Sequence, residues 1–243
     1  MRLVLLSDIH ANVTALKAVL EDIQNIGSFD SYVVLGDLVN YGPRPNETIE
    51  MVNLLSQKIM VSIWGNHEFS IFGGSLDWFA TDRGRSVLQY TNSILTEGSR
   101  AYLDKKMNHN GYEISTIEGK HFLFIHGNLD DPYWGKFGVD KMDDDRYSEY
   151  DYVISGHSHI PHYVEHFFPS NNKVYRNKKR TVFVNPGSVG QPRNHNPYAQ
   201  YGILDTQTGN YEHRSIWYDV EKEQALFDDR VDVFYKNRIK VGV

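Results

Sequence analysis

Six short motifs set His, Asp and Asn side chains at intervals along the chain: Asp8-Ile9-His10, Gly36-Asp37, Gly65-Asn66-His67-Glu68, His126-Gly127-Asn128, Gly156-His157-Ser158-His159 and Asn185-Pro186-Gly187-Ser188. Each is weak in isolation. Asp8-Ile9-His10 alone reads as a loop with a helix cap, Asp37 as a turn residue beside glycine, and Asn66 as a capping residue with a surface histidine after it. His126, ending an apolar run, alone reads as a structural histidine. The joint pattern is harder to explain by accident, because five of the eleven histidines fall in these motifs. In an extended chain, residues i and i+2 point the same way. Asp8 and His10 can then meet one cation, and His157 and His159 repeat that register. Asp8, His10, Asp37, Asn66, His126, His157 and His159 make seven candidate ligands, too many for one metal and suited to two with Asp37 shared. Mixed imidazole and oxygen donors suit Mn, Fe, Zn or Ni better than Ca or Mg, and two divalent ions, Mn foremost, are the expected cofactors. Two such cations ~3.5–4 Å apart clamp an in-line phosphoryl displacement and make hydroxide available from a bridging water. His67 is the natural general acid, since a free imidazole titrates near neutrality.

The elements that must position these residues follow from periodicity. Leu3-Val4-Leu5-Leu6 is a short apolar run that stops at Ser7-Asp8, and it reads as a buried strand. Leu16, Val19, Leu20 and Ile23 then form one helical face, with Gly27 as its stop. A second strand at 32–35 ends at Gly36-Asp37. Ile49, Val52 and Leu55 mark a second helix, and a third strand at 59–64 ends at Gly65. Strand–helix–strand–helix–strand predicts a mostly parallel sheet with its chemistry at the strand ends. The stretch from about 69 to 107 breaks the rhythm: Gly73-Gly74 suggests a mobile loop, and 83–94 and 99–106 read as two helices capping one end of the sheet. The second half is rich in strands, at 112–117, 121–125, 152–155, 163–166, 181–185, 201–205 and 211–217, with a closing helix at 220–227. The expectation is one α/β domain spanning 1–243, with two mixed sheets packed as a sandwich flanked by helices and a helical cap insertion at about 69–107.

Bulk properties narrow the function. The 243 residues suffice for one domain with a real core. A net charge of −6 argues against a dedicated nucleic-acid or anionic-membrane surface. It leaves small phosphorylated substrates open, because bound metals reverse a local field. With no cysteine, disulfides, thiolate metal sites and cysteine nucleophiles are excluded. No run reaches the length of a membrane-spanning helix, and the early Asp8 does not suit a signal peptide. A cytoplasmic enzyme is the expectation.

The order Asp-x-His, Gly-Asp, Gly-Asn-His-Asp/Glu, His and Gly-His-x-His, from Asp8 to His159, resembles the calcineurin-like metallophosphoesterase superfamily. The short length, the Asn185-Pro186-Gly187-Ser188-Val189 run and the Tyr41-Gly42-Pro43-Arg44-Pro45-Asn46 loop are similar to its small bacterial and archaeal phosphodiesterase branch. Several members of that branch act on dinucleoside polyphosphates or other nucleotides. The resemblance implies the metallo-dependent phosphatase fold. It also implies one metal held by Asp8, His10, Asp37 and His159, a second held by Asp37, Asn66, His126 and His157, and His67 protonating the leaving oxygen. In the protein-phosphatase branch an acidic residue stands three places after the bridging aspartate and is followed by arginine; here those places hold Asn40 and Tyr41. The acidic partner of the catalytic histidine is therefore missing.

For substrate, Arg193 can fork onto a phosphate, with Arg44 a weaker candidate. Asn12 either touches substrate or caps the first helix, and the cap is favoured. Phe69, Phe72, Trp78, Phe79, Tyr133 and Trp134 offer either a nucleobase-stacking surface or, as the favoured reading for most of them, the packing of the cap. The expected function is hydrolysis of a small phosphodiester or nucleotide phosphoanhydride. The alternatives are a phosphomonoesterase or protein phosphatase, and a non-catalytic metal-binding scaffold.

Overall fold

Val4 and Leu6 leave the first strand on one side, Leu3 and Leu5 on the other, and all four are fully buried. A parallel strand covered on both faces has this unbroken apolar character. The structure, a computed structural model that describes residues 1–73 and 76–243, builds ten strands among those residues. They are β1 (Arg2–Leu6), β2 (Ser31–Val34), β3 (Ile59–Ser62), β4 (Tyr112–Ile117), β5 (Lys120–Ile125), β6 (Tyr152–Ser155), β7 (His162–Pro169), β8 (Lys178–Asn185), β9 (Ala199–Asp205) and β10 (Tyr211–Ile216). One sheet has the order β10-β9-β1-β2-β3 and the other β4-β5-β6-β8-β7. Each has a parallel centre, β1-β2-β3 or β5-β6-β8, and antiparallel strands outside it.

The two sheets face each other through one apolar layer. Leu3, Leu5, Val33 and Val61 meet Phe122, Phe124, Tyr152, Ile154 and Val184 there. The alternate residues face outward. Val4, Leu6 and Val34 pack under helices α1 (Val13–Asn25) and α2 (Pro45–Leu54), against Leu16, Val19, Ile23, Ile49 and Val52. On the far side Leu123, Ile125, Val153 and Phe183 are covered by Phe137, Met142, Tyr147 and Phe168. The expected sandwich with helices outside is thus the observed architecture. Truncating a central residue such as Leu5 to alanine would cost roughly 2–5 kcal/mol.

The short α3 (Asn66–Ile71) springs directly from the end of β3, and α4 (Asp82–Ile94) and α5 (Glu97–Lys106) follow. α5 departs from the expectation of a cap, because its Tyr102 and Leu103 lie in the main core under the first sheet. Trp64 Nε1 also donates to the Leu103 carbonyl at 2.7 Å. The loop expected at Gly73-Gly74 falls partly outside the described residues, since Gly74 is not among them. At the C-terminal end the expected helix is shorter, α6 (Val220–Gln224), and a further helix, α7 (Val233–Val241), packs Tyr235, with Val231 just before it, against Val87 of α4. No helix among the described residues is long and apolar enough to cross a membrane.

Candidate active site

The parallel strands β1, β2, β3, β5 and β6 each deliver candidate site residues shortly beyond their last paired position, at the carboxyl end of the sheet. There the backbone turns at once. Asp8 (φ 52°), His10 (48°), Asp37 (53°), His157 (61°) and His159 (58°) are all left-handed, as are Ala11, Asn40 and Tyr41. These are eight of the twelve non-glycine residues with positive φ among those described. Such a conformation costs on the order of 1 kcal/mol per residue. It is held by backbone bonds between the β1 and β2 loops: Asp8 N to Gly36 O at 3.1 Å, His10 N to Asp37 O at 2.9 Å and Ala11 N to Leu38 O at 2.8 Å. The extended register expected for Asp8/His10 and His157/His159 is therefore absent. Asp8 and His10 meet by turning, and the same kind of turn sends His157 and His159 to different places.

Two groups of potential metal-holding atoms result, each with its atoms within 4.8 Å of one another: Asp8, His10, Asp37 and His159, and Asp37, His126 and His157. Asp37 belongs to both. In the first group His159 Nε2 lies 3.2 Å from Asp8 Oδ1 and 3.1 Å from His10 Nε2, and His10 Nε2 lies 3.7 Å from Asp37 Oδ2. In the second His126 Nε2 is 3.3 Å from Asp37 Oδ2. Asn66 joins this group, its Oδ1 lying 3.1 Å from His126 Nε2 and 3.0 Å from His157 Nδ1. All seven residues named from the sequence are thereby gathered at one edge.

The donor chemistry fits cations. Asp8 Oδ1 is buried with no hydrogen-bond partner. Three imidazoles tie Nδ1 to backbone carbonyls, His10 to Val39 (3.2 Å), His126 to Leu35 (2.6 Å) and His159 to Gln191 (2.5 Å). A proton held on Nδ1 leaves the Nε2 lone pair facing inward, the arrangement a metal ligand needs. Burial, reinforced by the charge of His159, holds His10 well below the ordinary histidine range, and burial followed by the charge of Arg193 does the same to His159. Burial brings His157 down to about 3. Burial alone would lower His126 too, but the Asp37 carboxylate outweighs it and pushes this imidazole up to about 9. A cation between the two would take over the role of that proton.

Glu68 carries more of this geometry than its place in the sequence suggested. Its fully buried carboxylate accepts from the backbone N–H groups of Gly65 (2.9 Å), Asp37 (2.8 Å), Leu38 (2.8 Å) and Val39 (3.3 Å). One side chain thus ties the β2 loop to the start of α3. Burial, then the neighbouring Asp37 charge, raises its carboxyl to about 7. The signal was a glutamate three residues after the helix cap Gly65, the capping-box position. Gly65 itself must lack a Cβ, which would overlap the Asp37 carboxylate. The sixth motif acts from behind. Ser188 Oγ donates to Asp8 O at 2.7 Å, and Val189 N and Gly190 N donate to Ser7 O and Asp8 O.

His67 stands beside this cluster, its Nε2 3.8 Å from Asp37 Oδ2 and its backbone N–H on Asp37 Oδ1 at 3.0 Å. The place of the missing acid is filled: Asn40 Nδ2 sits 2.6 Å from His67 Nδ1, and Thr91 Oγ1 donates to Asn40 Oδ1 at 3.1 Å. An amide donating to Nδ1 leaves the proton on Nε2, toward Asp37. Burial brings the His67 imidazole down to about 4. It is therefore a neutral donor rather than an imidazolium.

The three residues named for substrate part company. Arg193 lies at the site: its N–H donates to His159 O at 3.3 Å, its Nη2 bonds Gln191 Oε1 at 3.1 Å, and its buried Nε has no partner. Asn12 is a cap. Its Oδ1 accepts from Ala15 N at 2.9 Å, and its amide donates to Gly190 O and Tyr218 Oη, so nothing is left for substrate. Arg44 is paired with Glu47 at 2.7 Å and lines a groove beside α1 with Lys17, Trp217 and Lys222, a different surface. Of the aromatics, Phe69 stacks on Tyr133 at 4.4 Å and Phe72 on Trp64 at 5.0 Å, as packing. Phe79 and Trp134 come closer, the first 5.3 Å from the His67 ring, the second edge-on to His157 at 6.2 Å with an unpartnered indole N–H.

Comparison with known proteins agrees with this geometry. Residues 1–209 match the calcineurin-like phosphoesterase superfamily domain. The uncharacterized protein MJ0912 of Methanocaldococcus jannaschii is 31% identical over 98% of this chain and 96% of its own length. Phosphodiesterase YfcE of Escherichia coli is 25% identical over 84% of this chain and 88% of its own. A crystal structure of a metallophosphoesterase from Sphaerobacter thermophilus superposes over the whole of both chains with a TM-score of 0.79 at 26% identity. The strand-edge cluster and these likenesses lead to one conclusion: the chain belongs to the calcineurin-like phosphoesterase superfamily, in its small bacterial and archaeal branch, and is a metal-dependent phosphoester hydrolase.

Proposed function

We propose that this protein hydrolyses a small phosphodiester or a nucleotide phosphoanhydride, such as a dinucleoside polyphosphate, at a dinuclear centre. The observation that carries the reading is the pair of donor groups joined at Asp37, with His67 alongside. Asp8, His10, Asp37 and His159 would hold one divalent ion, and Asp37, Asn66, His126 and His157 the other. Mn is the ion proposed, with Fe, Zn or Ni as alternatives; the mixed nitrogen and oxygen donors suit a transition metal over Ca or Mg. Such ions, when bound, stabilise charge on the phosphoryl oxygens and acidify water.

The chain's own residues do the rest. The backbone-anchored imidazoles keep their lone pairs inward without rearrangement. His67, fixed by Asn40, presents Nε2–H to the leaving oxygen, and Arg193 offers its fork to a substrate phosphate. An amide in place of an acid at Asn40 makes His67 a hydrogen-bond donor to a good leaving group, which supports a diester or anhydride substrate over a phosphoprotein. The E. coli relative named a phosphodiesterase supports the same class. A cytoplasmic setting belongs to the proposal.

The test is hydrolysis of bis(p-nitrophenyl) phosphate and of diadenosine polyphosphates by protein reconstituted with Mn. Turnover that disappears with a chelator and falls in both Asp37→Ala and His67→Ala is the expected result. Turnover that survives both substitutions would rule the reading out.

A further inference from the structure

Beyond Arg193, a second guanidinium reaches the substrate side of the site from α7. Tyr41 bridges the two regions. Its ring lies 4.5 Å from that of His67 and 4.7 Å from that of His10, and its other side stacks on Tyr235 of α7 at 4.7 Å. Arg238 is one helical turn beyond Tyr235 and lies over Phe234, 5.0 Å from the ring centre. The helix end is fixed onto the Arg193 loop, where His195 N donates to Gly242 O at 2.8 Å. Arg193 lies within hydrogen-bonding reach of the Tyr41 hydroxyl, and the charges of both arginines act on that phenol and on His159.

Six other arginines, at 44, 85, 146, 180, 214 and 230, each lie within 4 Å of a carboxylate. Among the described residues, neither Arg193 nor Arg238 lies within 4 Å of an Asp or Glu carboxylate; Arg2, Arg83, Arg100 and Arg176 share that property, but only Arg193 and Arg238 face each other beside Tyr41 and His159. Arg193 keeps its buried Nε unpartnered. Arg238 donates from Nε to an oxygen of Val243, the last residue of the chain, which leaves its two terminal nitrogens for a ligand. Partial burial, then the facing charge of Arg193, lowers the Arg238 guanidinium to about 10. Like charges placed together away from water are unfavourable unless an anion joins them. Each guanidinium offers a planar fork that matches a phosphate.

We propose that Arg193 and Arg238 form a subsite for a phosphate of the substrate adjacent to the one that is cleaved. This inference rests on the phosphoesterase reading and narrows it. A simple diester carries one negative charge, which bound cations would meet. A phosphoanhydride chain carries a charge on every phosphate, and the second one requires cationic partners of its own. The pair therefore selects substrates with at least two consecutive phosphates.

The test compares full-length, Mn-reconstituted wild type with Arg238→Gln, Arg193→Gln and Arg238→Lys, with thermal melting to verify folding. The readout is the ratio of kcat/KM for diadenosine triphosphate to that for bis(p-nitrophenyl) phosphate. Both glutamine variants should lower this ratio about tenfold or more, and Arg238→Lys should lose less, because a point charge replaces a fork. Equal loss on both substrates, or no loss on either, would overturn the inference. Calorimetric binding of inorganic pyrophosphate to chelator-treated protein probes the pair without turnover. A Kd about tenfold weaker in Arg238→Gln sustains the subsite. Equal affinity in wild type and variants overturns it, whether or not the diester is hydrolysed. Absence of diester turnover by wild type, with pyrophosphate binding that still depends on Arg238, would instead count against the hydrolytic reading alone.

Discussion

The strand edge and the rim above it are built on different principles. At the edge, the candidate ligands follow directly from central strands and are fastened by the backbone around them: Nδ1 atoms on carbonyls, left-handed turns locked between the β1 and β2 loops, and Glu68 holding four N–H groups at once. The rim is assembled from segments far apart in the chain, the Tyr41 loop, α4, the loop carrying Arg193 and α7, and it is held mainly by ring-on-ring contacts. The edge lies within the stretch that matches the superfamily, whereas α7 follows residue 209, where that match ends. Under the proposed function, the edge supplies the chemistry and the rim supplies contacts to the substrate.

Substitutions can break this contrast or sharpen it. The largest effect is expected at the centre of the edge: Asp37→Ala should lower kcat/KM at least ~10³-fold, as loss of one member of a catalytic unit does, and elemental analysis should find fewer bound metal ions. Full activity with a full metal complement would refute the joint role of this carboxylate. Glu68→Gln comes next. An amide cannot accept four N–H bonds with both of its ends, so urea unfolding should show a loss of roughly 2–4 kcal/mol, together with metal binding weakened ~10–100-fold. Unchanged stability would mean that the loops hold their shape without it. Asn40→Leu should reduce kcat ~10–100-fold, as loss of an orienting partner does, while metal content stays constant. A drop in metal content instead would place Asn40 among the residues that build the cation sites. The smallest effect is expected beside the edge, where Trp134→Leu should raise KM for dinucleoside polyphosphates several-fold, the scale of one lost base stack. If bis(p-nitrophenyl) phosphate suffers equally, Trp134 shapes the cation edge and not a base-binding surface.

The same contrast explains what could be read from the sequence. The sandwich and the gathering of seven donor residues were legible because buried parallel strands write unbroken apolar runs, and because His, Asp and Asn at their ends are conspicuous. The reason offered for pairing Asp8 with His10, and His157 with His159, did not hold. An alternation rule describes extended backbone, and these residues sit in left-handed turns that no side-chain pattern announces. Glu68 was passed over as a permitted variant of the motif, because its bonds go to backbone groups, which the sequence does not label. α7 was missed because only Tyr235 and Ile239 on it are buried, too short a stripe to stand out. Arg44 looked available in its loop, but its neighbours turn it toward Glu47 and α1.

The donor groups have a consequence for the mechanics of the fold. Asp8, His10 and Asp37 extend from the first sheet, and His126, His157 and His159 from the second, so each group draws on both. Any ion seated there acts as a clasp between two layers otherwise joined through their apolar faces. Metal binding and sheet docking are then one linked equilibrium: an ion that binds only the closed sandwich stabilises it by about 2.7 kcal/mol at a hundredfold excess over its dissociation constant. The protein stripped of metal should melt earlier, and its two sheets should part first at the catalytic edge.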